Sequence, residues 1–304
     1  AEPVTLSADQ TAGEAFGVII GSCARQVLSN MDAALQTGDP EGPHQLRIGL
    51  RRLRGALRAH RNLLDRKFVG ELERTARTLA RLAGGLRDID VLIKDFVGPY
   101  AAGPGKRSDV KPLMMALHSH RDQMCRAVGE RILSGDYSDF QLSLIGLMEG
   151  EIPAGAAGRD QKPARRQGVV GSARRNLDRS WAKVEEYGAR IDELGISERH
   201  DMRKALKNHR YSVEFYASLF ARRAVSRYLK RLKRLQSHFG YLNDVAMVHK
   251  IRDIYEAGSD PQGDLLWAIG HIQGLQDARA ETAWLTVRAG WAKLDSGPRF
   301  WAKS

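Results

Sequence analysis

Cysteine is scarce in this chain: Cys23 and Cys125 are the two among 304 residues, too few for a disulfide framework or a multi-cysteine metal knot. A reducing cytoplasm is therefore the expected compartment. Long apolar runs are missing as well, none reaching the roughly 18 residues a membrane span requires. Nothing around Ala1-Glu2-Pro3-Val4 has the basic-then-apolar pattern of a secretory leader, and a start without Met is expected of a segment cut from a longer chain. Alternation of β-branched and polar residues is lacking at useful length, while apolar residues recur at steps of three and four, so the expected fold class is all-α. Aromatic residues make up only 7% of the chain. What is present is charge: 28% of residues are charged against 42% hydrophobic, with a mean hydropathy of −0.41, the composition of a soluble globular protein with room for one large domain or two smaller ones.

The net charge of +12 is unevenly spread. His44 to Arg81 carries eleven Lys+Arg and three acidic residues, and His200 to Ser237 carries eleven and two, which leaves −5 for everything else. Two separated stretches thus hold more than the whole net charge, and they point to a directed anionic partner.

Segments rich in Gly and Pro at residues 98–105, 150–168 and 258–263 punctuate helix-favouring sequence, and the chain divides near residue 160. The halves look like copies. His44-Gln45-Leu46-Arg47 matches His200-Asp201-Met202-Arg203, and Gly84-Gly85-Leu86-Arg87-Asp88-Ile89 matches Gly240-Tyr241-Leu242-Asn243-Asp244-Val245, both at an offset of 156 residues without a gap. An internal duplication predicts two similar helical bundles related by pseudo-two-fold symmetry: residues 1–11 as an N-terminal linker, 12–158 as the first bundle and 159–304 as the second.

Helical phase divides each basic segment into two faces. At about 100° per residue, His44, Arg47, Arg51, Arg54 and Arg58 share one stripe, and Leu46, Leu50, Leu53, Leu57 and Leu64 fall opposite. In the second copy His200, Arg203, Lys207 and Arg210, with Lys204 at the edge, oppose Met202, Leu206, Val213 and Phe220. The helices that follow repeat the pattern with Arg74, Arg77 and Arg81, and with Lys230 and Lys233. Like charges at these steps cost a few tenths of a kcal/mol per pair, and few acidic residues are placed to relieve them. A polyanion is the expected missing partner.

Nucleic acid fits the charge, but single-strand binders add stacking rings, and Tyr211 is the one ring near a stripe; duplex readers add Asn or Gln among the arginines, and the stripes hold almost none. What remains is a surface that reads phosphate.

The run His44-x-x-Arg47 with Arg51-Arg52-Leu53-Arg54, its second copy His200-x-x-Arg203 with Lys207 and Arg210-Tyr211, and Leu86-Arg87-Asp88-Ile89-Asp90-Val91 resemble the CHAD family, the conserved histidine α-helical domain, over about residues 12 to 294. The resemblance implies two four-helix bundles and a basic groove or pore that binds long-chain inorganic polyphosphate without catalysis, no cofactor, and an association with polyphosphate granules. It also implies a CYTH triphosphatase domain upstream, since the first four residues resemble the linker between the two. The second half departs from the first at Asn208-His209, where the first has Arg52-Leu53, and at Asn243 in place of Arg87. The alternative partner class is RNA or DNA held by the same cations, with nucleic acid disfavoured and no membrane contact expected. His44 and His200, at helix N-terminal ends, would donate to phosphate when protonated; capping or packing is their other role.

Enzymatic patterns fail. His118-Ser119-His120 places two imidazoles on different sides of a helix, without a third ligand at zinc spacing. Asp88, Asp90 and Asp244 each follow a Gly-containing helix break, where capping or an ion pair is the expected role over magnesium. His60, His209, His238, His249 and His271 read as surface or boundary residues. Gly103-Pro104-Gly105-Lys106-Arg107-Ser108 fails the spacing of a phosphate loop, and no activated nucleophile or dinucleotide fingerprint appears.

Overall fold

Thr11 opens the first helix with a reciprocal cap: its Oγ1 accepts from the Glu14 amide at 3.2 Å while the Glu14 carboxylate accepts from the Thr11 amide at 2.8 Å. The computed structural model describes residues 2–35, 41–102, 110–150, 162–248, 251 and 263–302. The helices are α1 (Ala12–Leu35), α2 (Glu41–Ala59), α3 (Arg66–Val91), the short α4 (Gly98–Ala101), α5 (Lys111–Leu133), α6 (Gly135–Met148), α7 (Lys162–Arg166), α8 (Val169–Gly188), α9 (Ile196–Tyr216), α10 (Arg222–Val248) and α11 (Gly263–Asp295). The fold is all-α, and among the described residues the sole β pairing is an isolated bridge between Thr11 and Gly168. No described helix is long and apolar enough to cross a membrane.

α1, α2, α3 and α5 pack together, with α6 against α1; α8 packs on α9, α9 on α10 and α10 on α11, while α2 crosses α9. The spacing of 156 read from the motifs also separates the starts of α3 and α10, and the 3-10 turns Arg61–Leu63 and Ala217–Leu219. Leu46, Leu50, Leu53 and Leu57 of α2 are fully buried, as are Met202, Leu206 and Val213 of α9. Each such side chain contributes about 2 kcal/mol of burial. They belong to one apolar cluster that extends from Val4 to Trp301. Val4 and Leu6 are in that cluster, and Leu6 exchanges two hydrogen bonds with the Ser218 hydroxyl, at 2.8 and 3.1 Å.

Two local expectations need correcting. The helix does not break at Gly84-Gly85: α3 continues to Val91 and passes through a π-helical turn, Leu92–Val97, into α4. A glycine costs about 1 kcal/mol in a helix interior, but here the carbonyl of the buried Gly84 accepts from Arg47 Nη1 at 3.1 Å, and the backbone is put to use. His60 and His209 are not surface residues but buried ones, 2% and 0% exposed. His209 lies between the Ser180 and Tyr228 hydroxyls, each 2.8 Å from a ring nitrogen, so both nitrogens are satisfied without charge. Burial holds its pKa down at about 3 and that of His60 at about 4.

The loop at 103–108, the boundary at 158/159, His249, residues 258–262 and the side chains of Asn243 and Asp244 lie outside the described residues.

Candidate functional site

Where α2 crosses α9, the cationic faces of the two helices meet at one cleft of about 380 Å³. From α2 it takes His44, Arg47 and Arg51, and from α9 it takes Arg203, Lys207 and Arg210. Arg87 of α3 and Lys233 of α10 complete the cations, and Asp88 is the one carboxylate in the lining. The apolar faces behind α2 and α9 are fixed in the core, so the periodicity that buries the leucines also aims the guanidinium groups outward.

The cleft is electrostatically unbalanced. Arg47 reaches Asp88 at 3.1 Å, and Glu214, outside the lining, lies 3.6 Å from Arg210 and 4.0 Å from Lys233. Arg51 and Lys207 meet no carboxylate in an ion pair among the described residues. Burial, followed by repulsion from Arg203, Arg51, Arg47 and Arg210, brings the pKa of Lys207 down to about 6. Burial and the neighbouring Arg47 lower Arg51 to about 10, which leaves it charged at neutral pH. His44 is also held below its ordinary value, first by burial and then by Arg87, and its Nδ1 is buried without a hydrogen-bond partner. An anion entering here meets preoriented donors and relieves repulsion at once.

The other expected cations are elsewhere. Arg54, Arg58 and Arg77 gather on the Glu73 carboxylate at 3.8, 3.3 and 3.9 Å. Arg74 and Arg81 are exposed on α3, and Lys230 is exposed on α10. His200 is exposed in the second turn of α9 and does not line the cleft, and Lys204 pairs with Asp201 at 2.5 Å. Arg52, inside the first motif, turns into the core, where it donates to Gln26 at 2.5 Å and lies over the Phe215 ring. A stripe on a helix is longer than the cleft, so only part of each lines it: the N-terminal part of the α2 stripe and the C-terminal part of the α9 stripe.

Arg87 is the lining cation that helical phase does not select. It lies off the Arg74-Arg77-Arg81 row and reaches the cleft because α3 passes beside His44. The carboxylates beside it form ion pairs, as expected: Asp88 with Arg47, and Asp90 with Arg121 at 2.7 Å. Tyr211 lines the cleft but is 4% exposed, with the Arg210 guanidinium 5.3 Å from its ring centre. Among the described residues no group of three or more His, Cys, Asp or Glu is arranged to hold a metal ion.

A family model described as the CHAD domain matches residues 18–253. The crystal structure of the CHAD domain from the plant Ricinus communis is similar to this chain at 22% identity, covering 99% of this chain and 96% of that one with a TM-score of 0.80. PptA from Streptomyces chartreusis is similar at 15% identity, covering 93% and 100% with a TM-score of 0.66. At these identities the likeness concerns the fold. No curated protein matches the chain.

Proposed function

Since the chain belongs to the CHAD family, we propose that the cleft between α2 and α9 binds long-chain inorganic polyphosphate and does not turn it over. The observation that carries this reading is the lining itself, with seven Lys and Arg side chains to one carboxylate. A chain of phosphates offers about one charge per unit and no bases, and it suits forked guanidinium donors and an ammonium point charge. Asp88 is already held by Arg47, which supports binding over general-base chemistry.

Phosphate is favoured over nucleic acid by the state of Tyr211. A stacking platform needs an open ring face, whereas this ring is buried and has Arg210 beside it. Competition tests the choice: polyphosphate is expected to displace RNA at a far lower phosphate concentration, and displacement in the opposite order overturns the reading. With all seven cations engaged, the affinity for polyphosphate falls with salt at a log–log slope of about −5, taking roughly 0.7 per contact in the single-strand limit.

A further inference from the structure

Beside the main cleft lies a second basin, of about 480 Å³, and the two share His44 and Arg87 in their linings. The new members are Lys94 of the π-helical turn and His118 and Arg121 of α5, together with the carboxylates Glu41 and Asp90. We propose that the two clefts form one track: a phosphate chain that outgrows the main cleft passes between His44 and Arg87 and continues along Lys94 and Arg121. This rests on the polyphosphate reading above and adds a site to it.

The geometry follows from spacing. Arg87, Asp90 and Lys94 recur at steps of three and four, so the segment that runs unbroken from α3 into the π turn presents them on one side. His118 and Arg121, three apart on α5, face them across the basin. Arg87 and Lys94 meet no carboxylate in an ion pair among the described residues, while Arg121 is engaged by Asp90 at 2.7 Å. With two carboxylates in its lining the basin is only mildly positive, against the strong excess next door. It therefore extends a chain already anchored and does not capture one by itself. A polymer of identical units gains from such an annex because its second segment binds at the high effective concentration set by the first; a short anion gains nothing.

The test compares tripolyphosphate with long-chain polyphosphate by calorimetry, using the unmodified chain, Lys94→Gln and Arg51→Gln. Lys94 is exposed and outside the core, so Lys94→Gln is expected to fold normally. It should weaken the long chain several-fold and reduce the steepness of its salt dependence by about 0.7, leaving tripolyphosphate unchanged. The His118 ring signals, followed by NMR, are expected to move with the long chain and not with tripolyphosphate. If Lys94→Gln weakens both ligands equally or neither, or if His118 stays unmoved, the track is overturned. Should Arg51→Gln alone lose the long chain, only the main-cleft reading survives. An unmodified chain that binds neither ligand takes both readings down.

Discussion

The Tyr216 hydroxyl lies 2.7 Å from His60 Nε2, joining two positions that are 156 residues apart. His60 Nδ1 donates to the Ala56 carbonyl at 2.9 Å, so Nε2 is the acceptor, and Tyr216 donates to it. Asn176 in turn donates to the Tyr216 oxygen at 2.7 Å. A residue that touches its own offset counterpart is what a two-fold axis between α2 and α9 would require, and the hydroxyl joins three helical segments in one buried chain of hydrogen bonds.

Tyr216→Phe should therefore be costly without being bulky. It strands His60 Nε2 and the Asn176 amide in the core, at about 1–3 kcal/mol for each orphaned group. Urea unfolding is expected to show a loss of about 2–6 kcal/mol on that scale, with polyphosphate affinity unchanged under conditions where the variant is folded. An unaltered midpoint would remove the buried chain from the stability of the protein.

Charge reversal should separate the cleft from the remaining basic surface. Arg51→Glu places a carboxylate among Arg47, Arg203 and Lys207 and is expected to weaken polyphosphate by at least about 2 kcal/mol, the scale for a desolvated charge contact. Arg74→Glu, on an exposed face of α3, is expected to change affinity only slightly and only at low salt. Equal losses in calorimetric titrations of the two variants would mean that the anion reads overall charge and not the cleft.

Binding should also draw in protons. Lys207 is held at about 6 in the empty cleft by burial and by its cationic neighbours, and a bound polyanion shifts the balance back toward the ammonium form. At pH 7 to 8 the ligand-free amine is therefore mostly neutral and the liganded one charged, so protons are taken up. Calorimetric enthalpies measured in buffers of different ionisation heat should reveal this uptake, and Lys207→Met should reduce it. Affinity accordingly declines as pH rises through this range.

The division of α2 and α9 into leucine and cation faces was legible from spacing alone, because burial of a helix face is a periodic property and these sequences keep strict period. The same spacing puts Arg54 and Arg58 beside Arg47 and Arg51 without distinction. What separates them is Glu73, which approaches from α3 and collects three guanidinium groups, a meeting fixed by how two helices cross. Arg87 escaped for the complementary reason: its role comes from standing next to His44 in space, and no single-helix pattern encodes that. The buried histidines were illegible because their acceptability depends on hydroxyls and a carbonyl supplied by residues 4 to 156 positions away.

The unbroken apolar cluster behind the cleft has a consequence for who does the adjusting. With α2 and α9 backed by one shared interior, the spacing between the cations is set during folding, before any guest arrives. On the proposed polyphosphate reading, a supple inorganic polymer would bend to a rigid last, and the loss of freedom would fall on the guest. Stiff polyanions of equal charge density would be turned away on shape alone.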